Sequence, residues 1–236
     1  MAGRTRQVGP GVWRVVGGLP LPTMNVYLIE DAGGGVTMFD AGVSSMVRAL
    51  REACDERGGL NRIVLGHAHV DHRGAAPALG APIYCHPAEV VDAESDGGFH
   101  YQDTSLLAPH GRVVMPRLMK MWDGGPVKIS GTVSEGDEVS GFRVVDAPGH
   151  APGQIALYRE RDGLALTTDV FYTIDAQSGL PTSPRLAHPA FHYDEEAARA
   201  ALRKVAELDP SSAWPGHARP VTEDVKATLL KGAARR

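Results

Sequence analysis

Apolar positions in the first part of the chain occur in short runs separated by Gly/Pro turns. Three of these runs have the length and composition of strands and predict a β-meander over residues 12–18, 25–31 and 36–42. The period then changes to that of a helix at four positions: Met46, Val47, Leu50 and Cys54. Gly58 follows as a stop signal, so a helix is predicted to lead into the next strand at residues 62–66.

Strand and helix patterns alternate in the rest of the chain, with one interruption. Residues 92–125 are the least regular part and look like an insertion. After them, β-rich runs broken by turns predict a second sheet between residues 127 and 172, followed by an amphipathic helix at 193–208, a short strand from Ser212 and a last helix from about Thr222. This order predicts an α/β fold, an αββα four-layer sandwich in which two mixed β-sheets pack face to face with helices outside.

Composition narrows the class of protein. The chain has 236 residues, 43% of them hydrophobic and 22% charged, so residues 1–236 are expected to form a single folded domain. The net charge of −4 and the lack of a long Lys/Arg block argue against a nucleic-acid partner and favour a small-molecule substrate.

Cys54 and Cys85 fall in different predicted elements and are interpreted as buried thiols. No apolar run has the length of a signal peptide or membrane span, so we expect a cytoplasmic protein with no membrane partner.

Candidate chemistry begins at the end of the strand at 62–66. The segment "HAHVDH" places four metal-type ligands within six positions: His67, His69, Asp71 and His72. Alternate side chains of an extended segment point the same way, so His67 and His69 can face one metal ion while the other two turn toward a neighbouring position. The alternative is a polar loop that happens to be rich in histidine.

Further candidate ligands repeat the pattern of apolar strand, tight turn and polar side chain. They are His150 in "APGHAPG", Asp169 in "TTD" and His217 in "PGH". Strand ends of this kind bring residues distant in sequence to one rim of a sheet. The remaining histidines do not fully share this placement, and His86 is interpreted as a structural histidine or a partner of a ligand.

In this order and spacing the four segments "HAHVDH", "APGHAPG", "TTD" and "PGH" resemble the motifs of the metallo-β-lactamase-fold hydrolase superfamily, which includes glyoxalase II and acyl-homoserine lactonases. The resemblance covers nearly the whole chain, since "TMFDAG" is similar to the family's early strand that ends in Asp and Gly. It implies two metal ions and assigns their ligands: His67, His69 and His150 to one, Asp71, His72 and His217 to the other, and Asp169 to both. Asp40 would then lie close behind the ligands.

The ligand types bear on the metal and on the reaction. Imidazole nitrogens and carboxylate oxygens suit zinc, so two Zn²⁺ ions per chain are expected, with iron or manganese as alternatives. Such a metal lowers the pKa of its bound water to about 7, which provides a nucleophile at neutral pH. Asp71 and Asp169 are predicted as catalytic residues that orient this nucleophile and pass a proton to the leaving group. We therefore expect a metal-dependent hydrolase acting on a small, largely apolar ester, thioester or lactone.

This sequence differs from the motifs of several branches of the family, and each difference makes the reaction of that branch less favoured. Class B β-lactamases lack the bridging aspartate that Asp169 would supply, which disfavours antibiotic hydrolysis. Flavodiiron oxygen reductases usually carry Glu at the position of His69, and glyoxalase II enzymes continue into a helical glutathione-binding domain that we do not expect after His217. Tyr172, close after Asp169, is similar to a tyrosine of acyl-homoserine lactonases that helps to hold the substrate carbonyl. We predict a catalytic role for it, with aromatic packing as the alternative.

Two questions stay open at this level. One concerns the apolar residues of the insertion, which are predicted to form either a flexible lid or a contact in the core or in a homodimer: Met115, Leu118, Met119, Met121 and Trp122. The other concerns the reaction, for which the same fold offers an iron-dependent persulfide dioxygenase-like oxidoreductase or a phosphodiesterase. A metal-binding protein without catalytic activity is the least favoured interpretation.

Overall fold

The computed structural model describes residues 4–235. The chain divides into two compact units. The first contains the described residues up to Gly98 together with Met119–Val133, and the second contains Phe99–Leu118 and the described residues from Ser134 onward. Each unit is built on its own mixed β-sheet.

A seven-stranded sheet forms the centre of the first unit. Its strands, in sheet order, are β1 (Arg4–Gly9), β2 (Val12–Gly17), β3 (Met24–Glu30), β4 (Val36–Phe39), β5 (Leu60–Val64), β6 (Ile83–Cys85) and β7 (Gly131–Thr132). The first four pair antiparallel, and the last three are added in parallel. Because β4 and β5 are parallel, their C-terminal ends share one edge, from which Asp40 and "HAHVDH" leave the sheet.

Four of the described α-helices lie wholly in this unit: α1 (Val47–Asp55), α2 (Val70–Arg73), α3 (Ala76–Leu79) and α4 (Val90–Ala93). The apolar side of α1 is buried, with Leu50 and Cys54 packed in the same core as Val26 and Met38 of the strands. Burial of that side accounts for the helical spacing of its apolar positions. The predicted meander, the helix after it and the strand that precedes "HAHVDH" are confirmed.

A five-stranded sheet forms the centre of the second unit. Its strands are β8 (Glu138–Val139), β9 (Phe142–Asp146), β10 (Ile155–Arg159), β11 (Leu164–Thr168) and β14 (Ser212–Pro215), and a separate hairpin pairs β12 (Tyr172–Ile174) with β13 (Pro181–Arg185). The sheet order is β14–β11–β10–β9–β8, with the β11–β14 pair parallel and the other pairs antiparallel. The parallel pair places the C-terminal ends of β11 and β14 side by side, directly before Asp169 and His217 respectively.

Two of the described α-helices lie wholly in the second unit, α6 (Glu195–Glu207) and α7 (Val225–Ala233). Leu202 and Val205 of α6 lie in one apolar core with Val145 and Ala156 of the sheet. The Asp194 side chain accepts a hydrogen bond from the N–H of Ala197 at 2.9 Å and so caps the start of α6. The predictions of a second sheet, of this amphipathic helix and of a last helix are confirmed, and with them the α/β class with two mixed sheets.

The prediction that residues 92–125 are irregular is wrong for their second half, which forms α5 (Pro109–Trp122) with Pro116 inside it. The glycine and proline residues of this segment are typical of helix ends, so its pattern does not predict a helix. A proline inside a helix removes one backbone hydrogen-bond donor, and α5 continues through Pro116. Met119 is buried, and Trp122 packs against the first unit's core and donates its indole N–H to the carbonyl of Leu19 at 2.6 Å. Met121 is 49% exposed, so the apolar residues proposed as a lid differ in their surroundings.

Three of the described strands, β1, β12 and β13, carry no apolar pattern that would predict them. The first predicted strand begins at residue 12, but the polar residues before it form β1, and the β12–β13 hairpin is likewise absent from the predicted elements. These strands are held by backbone pairing, which needs no apolar face, and β13 carries Pro181 and Pro184, as an edge strand can. Cys54 and Cys85 are buried free thiols, as predicted, and burial raises the pKa of each to about 12. No helix between residues 4 and 235 is long and apolar enough to cross a lipid bilayer.

Candidate metal centre

Three histidines of "HAHVDH" form a compact, buried group in the first unit. His67 and His72 are fully buried and His69 is nearly so. The ring centroid of His67 lies 4.5 Å from that of His69 and 4.1 Å from that of His72. Asp71 is partly buried, and one of its carboxylate oxygens lies within 4.8 Å of a ring nitrogen of His72. The four predicted ligands of this segment therefore form one group, which we call the first cluster.

Asp40 holds this segment from the end of β4. Its Oδ1 accepts a hydrogen bond from the N–H of Gly66 at 2.7 Å, and its Oδ2 lies 2.9 Å from Nδ1 of His72. Because a carboxylate only accepts, Nδ1 carries the proton and Nε2 is the nitrogen that a metal ion would bind. Asp40 has φ +60°, an uncommon conformation for a residue other than glycine and one that aspartate tolerates better than most.

Glu89 is a second carboxylate behind the first cluster and lies outside the sequence motifs. It is fully buried, and its Oε2 accepts a hydrogen bond from the N–H of Ala68 at 2.7 Å, between two predicted ligands. The only signal in the sequence is an acidic residue within a short apolar run, "AEVV", which is too common to single out. His86 precedes it and accepts a hydrogen bond at Nδ1 from the N–H of Ala88, a local turn contact in keeping with the structural interpretation.

The second unit contains the other three predicted ligands. Asp169 is the centre of this group: its Oδ2 lies 3.5 Å from Nε2 of His150 and 3.3 Å from Nε2 of His217. All three residues are at most 9% exposed. We call His150, Asp169 and His217 the second cluster. Two imidazole nitrogens directed at one carboxylate oxygen are an arrangement that either a shared proton or a cation would stabilise.

Tyr172 belongs to the surroundings of the second cluster. Its hydroxyl donates a short hydrogen bond to Oδ2 of Asp169, and its ring stacks on His217 with centroids 5.0 Å apart and planes at 17°. The side chain is 9% exposed. The sequence predicts a catalytic role for Tyr172 as an oxyanion donor, with aromatic packing as the alternative. The structure shows stacking and, in addition, a hydrogen bond that holds the carboxylate of Asp169.

The backbone around His150 is held by the start of α6. The N–H groups of Asp194 and Tyr193 donate to the carbonyls of Gly149 and His150 at 2.8 and 3.1 Å. Gly149 has φ +133°, and a Cβ atom there would lie 1.9 Å from the backbone nitrogen of Ala198. Only glycine fits this close approach, so the loop that carries His150 depends on the absence of a side chain at this position.

His192 also contacts this loop, and it was not among the predicted site residues. Its ring lies edge-on to that of His150, with centroids 5.6 Å apart, and its Nε2 is 3.0 Å from the carbonyl of Ala187. Burial lowers the pKa of His192, so the ring is neutral at pH 7. A neutral imidazole beside His150 adds no positive charge that would oppose a cation.

The ends of β11 and β14 are joined where the second cluster begins. The N–H of Gly216 donates to the carbonyl of Thr168 at 2.7 Å, which ties the residue before Asp169 to the residue before His217. Thr168 and Ala218 have φ +40° and +61°, so strained backbone flanks both ligands. Strained non-glycine residues of this kind concentrate at functional sites because the surrounding structure must hold them.

The donor atoms of both clusters fit divalent metal ions. The first cluster offers imidazole nitrogens that lie within 4.8 Å of one another pairwise, as for His67 with His69 and His67 with His72. The second offers two imidazoles and a carboxylate. Buried neutral imidazoles and carboxylates are the usual protein ligands of zinc, and iron and manganese accept the same donors. The chain therefore carries His/Asp clusters with the chemistry of a metal site.

Comparison with known proteins agrees with this chemistry. The family model described as the metallo-beta-lactamase superfamily matches residues 23–217, a segment that begins before β3 and ends at His217. A protein of Bacillus subtilis (strain 168) named as the probable metallo-hydrolase YqjP is 25% identical over 236 aligned residues, which cover 87% of this chain and 70% of that protein.

Solved structures show the same likeness. A metallo-beta-lactamase family protein of Thermus thermophilus superposes with a TM-score of 0.71 and 25% identity over 97% of this chain and 80% of its own. A second structure, of TTHA1623 in a di-iron-bound form, has a TM-score of 0.63 and 27% identity over 91% of this chain and 96% of its own.

Proposed function

Because the chain belongs to the metallo-beta-lactamase superfamily, we propose that its two clusters together bind two divalent metal ions and that it hydrolyses a small, largely apolar ester, thioester or lactone. The observation that carries this proposal is the presence of seven His/Asp donors in two groups, all of them buried except the partly buried Asp71 and all within the segment that the family model matches. The first metal ion to test is zinc.

In the proposal each cluster contributes to both metal ions. The ligands are His67, His69 and His150 for one ion and Asp71, His72 and His217 for the other, with Asp169 shared. Asp169 suits a shared position because two imidazoles of its own cluster already approach one of its oxygens at 3.3 and 3.5 Å. The family match supports the joining of the clusters, since it runs through all seven residues.

Two divalent metal ions held by these residues would lower the pKa of a bound water toward 7 and would polarise the bond to be cleaved. The remaining work falls to side chains. Asp40 keeps the proton of His72 on Nδ1, which orients the ring for binding through Nε2. Tyr172 donates to Asp169 and so limits the rotation of that carboxylate. We assign the transfer of a proton to the leaving group to Asp71, and its partial exposure supports this choice.

The hydrolase class draws support from the similar Bacillus protein, which is named as a probable metallo-hydrolase. The choice of an ester, thioester or lactone rests on Asp169, which class B β-lactamases lack, and on Tyr172. An oxidoreductase with iron remains the second candidate, because one of the similar structures was solved in a di-iron-bound form.

The proposal is tested on one preparation of the full chain. Metal is removed with a chelator, the protein is reloaded separately with Zn²⁺, Fe²⁺ or Mn²⁺, and the metal content is measured. Each form is then assayed on a panel of aryl esters, thioesters and lactones, with oxygen uptake in the presence of persulfide measured in parallel. Hydrolysis that is lost with the metal and restored by two equivalents of Zn²⁺ supports the proposal. Oxygen uptake by the iron form, without hydrolysis by any form, would replace it with the second candidate.

A further inference from the structure

A cavity of about 360 Å³ lies entirely in the second unit, beside Tyr172. The cavity has a charged lining, whereas the substrate proposed above is largely apolar. Three arginines line it, Arg185, Arg199 and Arg235, against two carboxylates, Asp175 and Glu195. Tyr172 lines the cavity and also donates a hydrogen bond to Asp169 of the second cluster. The charged side chains of the lining have a net positive charge.

Both carboxylates of the lining are held by local bonds. Oδ1 of Asp175 accepts hydrogen bonds from the N–H of Gln177 and from the N–H and hydroxyl of Ser178, at 3.2, 2.9 and 2.8 Å. These bonds lower the pKa of Asp175, the backbone bond from Ser178 most, and keep it ionised as part of the β12–β13 turn. Glu195 receives a 2.7 Å hydrogen bond from Arg199.

Two of the arginines likewise have structural partners. Arg199 donates through Nη1 to the carbonyls of Ala233 and Arg235, each at 2.6 Å, in addition to its bond with Glu195. Arg235 donates to the hydroxyl of Ser183. Their guanidinium groups hold the end of α7 against the β12–β13 hairpin and the start of α6.

Arg185 differs from them. Its described ion pair, to Oδ2 of Asp175, has an N–O distance of 3.9 Å, beyond hydrogen-bond length, and its side chain is 44% exposed. In the β12–β13 hairpin Arg185 is the direct cross-strand partner of Tyr172. Side chains of directly opposed residues lie on the same face of a hairpin, so the guanidinium and the phenol border the same cavity.

We propose that this cavity binds a carboxylate at the far end of the substrate and that Arg185 is the residue that recognises it. The inference rests on the proposed hydrolase function and refines its substrate. The part of the substrate next to the cleaved bond would be apolar, and its far end would carry a carboxylate. A guanidinium binds a carboxylate through two parallel hydrogen bonds, which gives both affinity and orientation. The cross-strand position of Tyr172 connects this recognition to the second cluster.

The test compares two aryl esters of nearly equal length, 4-nitrophenyl hydrogen adipate and 4-nitrophenyl heptanoate, with the zinc-loaded full chain. We expect kcat/KM to favour the adipate ester by about tenfold or more, the value of one charge-assisted hydrogen bond. Arg185→Met should abolish this preference by raising KM for the adipate ester, while kcat/KM for the heptanoate ester stays within about twofold. Arg185→Lys, which keeps the charge, should retain part of the preference.

Arg161→Met is the matched control, because Arg161 is exposed and does not line the cavity. It should leave both esters unaffected. A preference for the heptanoate ester in the wild type, or a preference for adipate that survives Arg185→Met, would overturn the inference.

A second readout separates this inference from the proposed function. Binding of free adipate to the metal-free chain is measured by calorimetry for the wild type, Arg185→Met and Arg161→Met. Binding that is weakened about tenfold or more only by Arg185→Met supports the carboxylate site even if no ester is hydrolysed. Equal binding by all three, or no binding by the wild type, counts against the site even if the hydrolase is active.

Discussion

Nδ1 of His72 lies 2.9 Å from Oδ2 of Asp40, and both side chains are completely buried. The same carboxylate accepts the N–H of Gly66 through its other oxygen. One residue at the end of β4 therefore positions both the backbone and a side chain of the segment that follows β5. This is possible because β4 and β5 are parallel neighbours, whose ends lie side by side.

Asp40→Asn should weaken metal binding while leaving the fold intact. Asparagine tolerates the positive φ of this position, but its amide cannot accept hydrogen bonds through both groups as the carboxylate does. Loss of such a partner of a ligating histidine typically costs about 10- to 100-fold in metal affinity. Competition with a chromophoric chelator measures the affinity, and Asp55→Asn, at an exposed position on α1, is the control. Equal zinc affinity for Asp40→Asn and wild type would contradict the role given to Asp40.

Glu89→Ala should destabilise the protein by about 1–3 kcal/mol, the cost of leaving the buried N–H of Ala68 without its acceptor. Glu89→Gln keeps an acceptor oxygen of the same reach and should recover most of that loss. Urea unfolding of the metal-free chain measures both. Glu56→Ala, an exposed glutamate on the same unit, should change stability by less than about 0.5 kcal/mol. If Glu89→Ala were as mild as Glu56→Ala, the bond to Ala68 would have no role in holding the segment.

Gly149→Ala and Gly141→Ala distinguish crowding from backbone strain. Both glycines have positive φ, but a Cβ at Gly141 meets no atom within 4 Å, whereas one at Gly149 lies 1.9 Å from the nitrogen of Ala198. Gly141→Ala should therefore cost about 1–2 kcal/mol from strain. Gly149→Ala adds a clash with α6 and should cost about 3–5 kcal/mol in all. Thermal or urea unfolding compares the two, and similar losses would show that α6 yields to the added atom.

Tyr172→Phe should weaken zinc binding by about 10- to 100-fold, because it removes the hydroxyl that donates to Oδ2 of Asp169 and holds that carboxylate. Phenylalanine retains the stacking on His217, so packing is conserved. Competition with a chromophoric chelator measures the zinc affinity, and kcat is measured on the fully zinc-loaded enzyme. Unchanged zinc affinity together with a kcat lowered about 100-fold or more would make Tyr172 the oxyanion donor instead.

Asp162 should contribute to stability in a pH-dependent way. The hydrogen bond from Arg159 lowers the pKa of Asp162 below its usual value of 3.8, and Arg159 is itself buried. A lowered folded-state pKa means that the stabilisation is present above the unfolded pKa and is lost as the pH falls through the folded value. Asp162→Asn should therefore cost about 1–3 kcal/mol at pH 7 and much less near pH 2. Urea unfolding at both pH values tests this, and a difference independent of pH would exclude the ion pair as its source.

Local patterns predicted much of the fold. The meander, α1 and α6 follow from periods that repeat within a few residues, and these elements bury the faces that the patterns indicate. The helix α5 and the strand β1 escaped prediction for opposite reasons. α5 contains residues that usually end helices, and β1 is held by backbone pairing with β2 rather than by an apolar face.

The candidate site shows the same division. The seven predicted ligands could be named from the sequence because each is a metal-type side chain in a short segment that follows an apolar strand, and because the order of these segments resembles the family's motifs. The motif order was sufficient to identify the family, and the family model matches the segment that contains them.

Other contacts around the candidate site could be recognised only from the tertiary structure. Glu89 beneath Ala68, His192 against His150, and Arg185 opposite Tyr172 each join residues whose types are ordinary in the sequence. Their roles come from hydrogen bonds and packing between segments far apart in the chain, and such partners depend on where strands and helices meet. Residue type and spacing therefore determined what chemistry this chain carries, whereas folding determined which groups support it and what shape and charge its cavity presents to a substrate.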